Sequence, residues 1–164
     1  TRLGLGADDV SGRVGASLAP IAGILLIVGA GGGFKQTLVD SGIAGIIAAW
    51  IQQAAVPALL AGWLVAVAVR LATGSATVAT ITSAGIMAPL ASHMPQTEVV
   101  LLVLAIGAGS VFLSHVNDAG FWLVKEYFGM TVGQTFKTWS LMETILSVVA
   151  MATISLLALA LGVF

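Results

Sequence analysis

Apolar residues run along this chain in long stretches, and the charged positions fall in the gaps between them. No charged residue lies between Arg13 and Lys35, Asp40 and Arg70, Arg70 and Glu98, or Glu98 and Asp118, nor from Glu143 to Phe164. Each gap is close to or above the roughly 18 residues that a helix needs to cross a hydrocarbon core about 30 Å thick. One such run can be the buried helix of a soluble domain, but five cannot be buried in 164 residues. The pattern predicts an all-α polytopic membrane protein, with a polar loop or arm over residues 1–15 and a transmembrane domain over 16–164.

Within that domain, "ASLAPIAGILLIVGAGGG" (16–33) has the length of a spanning helix and ends in glycines. "FKQTLVDSG" (34–42) carries Lys35 and Asp40, and "IAGIIAAWIQQ" (43–53) is short enough to lie at the interface with Trp50 as anchor. The run 56–92 divides at "TGSAT" (73–77) into halves that are each barely long enough to span. It is either two spans joined by a tight turn or a re-entrant hairpin. Non-helical backbone at membrane depth is tolerated only where protein or a wet cavity surrounds it, so the hairpin implies a binding site. In residues 98–128 an apolar start is interrupted at "GAGS" (107–110), passes through "SHVND" (114–118), and becomes apolar again at "FWLV" (121–124). This is the pattern of a discontinuous transporter helix. "GMTVGQTFKTW" (129–139) is expected to be a short amphipathic connection before a last span over 140–164.

Composition narrows the class further. The chain is 59% hydrophobic and 8% charged, with a formal net charge of −1, far from the basic footprint of a nucleic-acid binder. Cysteine is absent, which removes disulfides and thiolate metal sites. "GAGGGFK" (29–35) lacks the Gly-Lys-Ser/Thr ending of a phosphate loop. With these spans, Arg2, Arg13, Lys125 and Lys137 share one side and Lys35 lies on the other, which places the first side in the cytoplasm.

Three stretches carry candidate chemistry. Ser110, Ser114, His115, Asn117 and Asp118 offer donors and acceptors between apolar flanks, and a carboxylate at membrane depth is usually kept for a pathway or a proton relay. The alternative is a polar loop in which Asn117 and Asp118 cap the helix that follows. Arg70, just before the "TGSAT" break, has the forked guanidinium that suits a carboxylate; the alternative is an arginine snorkelling at the end of a span. Gly74, Ser75 and Thr77 at the break fit a solute site, whereas Thr80 to Gly85 fit close helix packing. Glu143 is read chiefly as an N-terminal charge on the last helix, the alternative being a coupling residue, and His93 as solvent-exposed.

"GAGGGFKQTLVDSGI", "RLATGSATVATITSAGI" and "GAGSVFLSHVNDAGFWLVKEYFGMTVGQTFKTWSLMETI" together resemble the C-terminal part of the gluconate permease family over nearly all of residues 20–150. The resemblance implies a bacterial inner-membrane, multi-pass symporter that takes up gluconate or a related sugar acid with protons, D-serine being the substrate of one branch. It also implies the architecture of the wider ion-transporter assembly: two inverted repeats, each with a re-entrant hairpin and a broken helix. The hairpin would be 56–92 and the broken helix 98–128. Family chains are more than twice this length, so the chain is expected to be one repeat whose N-terminal partner is missing.

The expected protein is therefore a permease and not an enzyme. The lipid bilayer and a small anionic sugar acid are its partners, a proton is the coupling ion, and there is no metal or other cofactor; a homo-oligomer is left open. Arg70 and the amides around Gly74, Ser75 and Thr77 would hold the carboxylate. Ser110, His115 and Asn117 would hold hydroxyls. Asp118 or His115 would take the proton. The rivals are a permease for D-serine or another small hydroxy or amino acid, and a non-transporting truncated membrane subunit.

Overall fold

The computed structural model of the chain describes residues 6–16, 37, 40–42, 46, 49, 53 and 56–163. The expected spans over 16–33 and 43–53 lie almost wholly outside these residues. The polar arm is exposed over 6–16 and helical over 7–16. Every regular element among the described residues is helical.

Helix α1, Ala58–Thr73, opens behind Pro57, whose missing N–H is one that a helix start does not use. It closes at Gly74, whose φ of 68° is left-handed and whose N–H donates to the Arg70 carbonyl. Ser75 at once caps α2, Ala76–Ala91, by accepting from the Val78 N–H at 3.3 Å. The "TGSAT" break thus narrows to Gly74 and Ser75. Helices α1 and α2 have 16 residues each, about 24 Å at 1.5 Å per residue, short of a bilayer core.

Helix α3, Gln96–Ser110, runs straight through Gly107 and Gly109, so the break begins at 111, after the "GAGS" stretch expected to interrupt the helix. Gly109 serves packing instead: a Cβ there would overlap the Trp63 carbonyl and the Ala66 side chain of α1. The non-helical stretch is 111–118, in which Leu113 takes a positive φ of 43°. Asp118 then caps α4, Ala119–Tyr127.

The expected connection over 129–139 is helical from Val132 onward. Thr131 and Gln134 form a reciprocal capping box that starts α5, Val132–Thr135. A π-helical turn, Phe136–Ser140, leads into α6, Leu141–Ala160. Together they make a helix of 29 residues, the one among the described residues long and apolar enough to cross a membrane.

The core lies between α1, α3 and α6, with Met87 of α2 joining it. Ala61, Gly62 and Ala66 of α1 and Ala105 and Gly109 of α3 are buried, and their small size lets the two backbones approach closely. Trp63 donates its indole N–H to Ser147 of α6 at 3.1 Å and meets Phe112 edge to face. The outer side of α6 stays apolar and exposed at Ile145, Leu146, Val149, Leu156 and Leu159, as suits lipid or further transmembrane protein.

Gly74 is where the two breaks touch: a Cβ there would overlap the Asn117 carbonyl oxygen. Gly74→Ala should therefore destabilise the purified protein by ~2 kcal/mol or more, from positive φ plus overlap. Gly133→Ala, on an open helical surface, should be neutral or stabilising by up to ~1 kcal/mol. Thermal unfolding in detergent distinguishes them, and equal midpoints would refute the contact.

Candidate functional site

The α1–α2 break and the α3–α4 break meet, and a charged cluster sits where they do. Arg70 lies in the last turn of α1 and is 3% exposed. Its Nη1 donates to the Gly74 carbonyl at 2.6 Å. Its Nη2 donates to Asp118 Oδ2 at 2.6 Å and to Glu143 Oε2 at 3.4 Å. Its Nε is buried and finds no partner among the described residues. Arg70 is thus ion-paired within the protein, not extended to an interface.

Asp118 caps the helix that follows, as one reading of its sequence position had it, and also pairs with Arg70. Oδ1 caps α4 by accepting from Gly120 N at 2.8 Å, while Oδ2 accepts from Ser114 Oγ as well as from Arg70. The neighbouring polar residues tie the break to the end of α1. Asn117 donates to the Leu71 carbonyl at 2.9 Å, and the His115 ring nitrogen approaches the same oxygen at 3.3 Å. This carbonyl is among those that a helix C-terminus leaves without an intrahelical partner. The Ser140 hydroxyl, on the π turn, donates to the Ser114 carbonyl.

A cleft of about 430 Å³ opens over this cluster. It is lined by Arg70, Gly74, Ser75, Thr77, Asn117 and Asp118, together with Trp139 and Glu143. Six of the residues nominated from sequence therefore share one cavity. Ser110 does not line it: its hydroxyl is turned back to the Gly107 carbonyl at 2.8 Å. His115 stands behind the cleft against Leu71.

Trp139 had not been placed at a site and Glu143 only as the lesser alternative, and their position on one continuous helix changes the chief reading of Glu143. It sits well inside the helix Val132–Ala160 and faces Arg70, so it is no helix-end charge. The signal was present in the sequence: Ser140, Glu143 and Ser147 recur at helical spacing along an otherwise apolar run.

The first turns of α2 and α4 also line the cleft, at Ala76, Thr77, Ala119 and Gly120. Helix N-termini favour negative charge. In the cluster itself one guanidinium faces two carboxylates.

A family model described as GntP family permease matches residues 1–160. The chain belongs to the GntP permease family. It is 60% identical over 145 residues to a gluconate permease of Pseudomonas aeruginosa, covering 88% of this chain and 32% of that protein. Over 145 residues it is 49% identical to a high-affinity gluconate transporter of Escherichia coli, covering 88% and 33%. Over 150 residues it is 45% identical to the Gnt-II system L-idonate transporter of the same organism, covering 92% and 34%. No solved structure matches the chain. The chain thus spans about a third of the length of these relatives. GntP members are permeases by the family's description.

Within the GntP cleft, Arg70 is the one positive charge between two half-buried carboxylates. Arg70→Ala should cost about 3–5 kcal/mol, the usual result of breaking a buried pair from one side. Adding Glu143→Gln should recover part of the loss, because one stranded carboxylate is gone. Unfolding midpoints of the two variants in detergent test this, and an unchanged loss would show that Glu143 does not belong to the cluster.

Proposed function

We propose that the chain is one repeat of a proton-coupled secondary transporter that imports gluconate or a related sugar acid across the bacterial inner membrane. The observation that carries this reading is the buried Arg70, paired with two carboxylates where two helix breaks meet on a cleft. Intramembrane charges of this kind mark substrate and ion pathways. Gluconate and L-idonate in the names of the relatives support a sugar acid as the substrate class.

In this reading α1 and α2, each too short to span, form a re-entrant hairpin with its tip at Gly74–Ser75. Helices α3 and α4 are the two halves of a broken transmembrane helix. The span expected over 16–33 precedes them, so the protein is multi-pass. The remaining length of a full GntP permease supplies the other repeat and the facing half of the site.

The cleft volume lies in the usual range for small-molecule sites, roughly 300–1,000 Å³. Arg70 and the first-turn amides of α2 receive the sugar-acid carboxylate, and Ser75, Thr77 and Asn117 its hydroxyls. His115 steadies Asn117 through the shared Leu71 carbonyl, and Ser110 joins the site only in another arrangement of the break. Asp118 and its neighbouring carboxylate hold Arg70 until a proton arrives. With both ionised the cluster carries one excess negative charge, which repels an anion. One proton cancels it, so solute and proton enter together. The hairpin and the broken helix then move as a unit past the rest of the protein in alternating access.

Uptake of radiolabelled gluconate by cells without gluconate permeases of their own tests this in the full-length protein. Uptake should be abolished by a protonophore, should not be competed by D-serine, and should be lost in Asp118→Asn at unchanged membrane abundance. No gluconate uptake by well-inserted protein would overturn the substrate class. Competition by D-serine would move it to small amino acids.

A further inference from the structure

Two carboxylates face Arg70, and their surroundings differ. Asp118 is committed: it accepts from Gly120 N, Ser114 Oγ and Arg70 Nη2, and it starts α4. Neutralising it would weaken a helix cap, a hydroxyl contact and an ion pair at once. Glu143 is held loosely. Its hydrogen bond to Arg70 is long, 3.4 Å, and beyond this it faces the Ser114 backbone. It caps no helix, since the helix carrying it begins at Val132.

The donor side is equally uneven. The Arg70 guanidinium gives Nη1 to Gly74 and shares Nη2 between the two acids, while buried Nε has no partner among the described residues. Nε and Nη2 are adjacent on a planar fork, an edge that suits both oxygens of a carboxylate. Glu143 stands at one corner of that edge. Arg70 and Glu143 both line the cleft.

We infer that Glu143 is the proton-carrying carboxylate of this permease, and that when ionised it occupies the place on Arg70 that the substrate carboxylate takes. This rests on the proton-coupled sugar-acid reading above and says which acid serves it. Glu143 takes a proton from one side of the membrane, releases Arg70 to the solute, and regains the guanidinium when solute and proton leave on the other side. No bond in the solute forms or breaks. Arg70 of α1 and Asp118 of the α3–α4 break are the charged groups that bear on it. Lys125 of α4 is paired separately with Glu126 at 2.7 Å. Asp118 is then a positioning residue that keeps Arg70 and the start of α4 in place.

The full-length permease, reconstituted in vesicles, separates the two roles. A pH gradient drives accumulation of labelled gluconate, and exchange of internal for external gluconate proceeds without net proton movement. Glu143→Gln should cut gradient-driven accumulation by about tenfold or more while exchange falls by less than about threefold. Glu143→Asp should restore accumulation. Asp118→Asn should lower both readouts together. Wild-type vesicles that fail to take up gluconate would overturn the substrate reading, whereas normal gradient-driven accumulation by Glu143→Gln would overturn this inference alone. Should Glu143→Gln not reach the membrane, wild-type protein treated with a hydrophobic carbodiimide gives the answer. Such a reagent attacks protonated carboxyls in apolar surroundings, so modification should map to Glu143 and be reduced by gluconate. Modification at Asp118 without Glu143 would refute the assignment.

Discussion

A guanidinium buried between two carboxylates is the constraint around which the rest of this structure is arranged. An unpaired charge in a low-dielectric interior is too costly to keep, and a paired one holds only if its remaining donors are met. Arg70 meets this at Nη1 and Nη2 with Gly74, Asp118 and Glu143, groups drawn from three separated parts of the chain, and its buried Nε has no partner among the described residues. The first break places a free carbonyl beside it, the second places Asp118, and α6 places Glu143. The left-handed Gly74, the packing of Asn117 onto Leu71 and the Ser140–Ser114 contact all bring these parts within reach. The breaks are thus cause and consequence together: they free the backbone groups that the charge needs, and the charge ties the freed backbone down.

The helices around the cluster follow a different rule. With lipid outside, apolar burial does little to drive one helix onto another, and close approach must come from small residues and interhelical hydrogen bonds. Ala66 against Gly109 and the Trp63–Ser147 bond are of that kind. Side-chain hydroxyls elsewhere mostly return to their own helix, as Thr80 does to Ala76 and Thr153 to Val149. Thr82 and Ser83 are buried without partners among the described residues, on a helix that shares fewer core positions than α1 or α3.

Much of this was legible before any coordinates. The charge gaps gave helical, membrane-type segments, and the family resemblance is borne out by the match over residues 1–160. "TGSAT" and "SHVND" marked the breaks because small and polar residues in apolar runs have few other uses. Harder to read was the purpose of a glycine. Gly74 ends a helix through its φ, whereas Gly109, equally conspicuous in sequence, continues one and admits Trp63. Spacing alone does not separate these, because the deciding neighbour is about 45 residues away. Glu143 was misread for a related reason: a capping box at Thr131 moved the helix start, and the residue passed from the end of an element to its interior.

The π turn at Phe136–Ser140 has a geometric outcome of its own. Lengthening one turn by a residue shifts the stripe beyond it by about 100°, the angle one residue subtends in an α-helix. Without that offset, the face bearing Thr135 and the face bearing Glu143 and Ser147 would follow a different alignment. As built, Thr135 is buried at the beginning of the helix, beside the residue whose ring meets Phe121, while Ser140, Glu143 and Ser147 reach Ser114, Arg70 and Trp63. The turn acts as a vernier: it allows one long rod to satisfy two sets of neighbours whose angular positions a uniform helix could not match together.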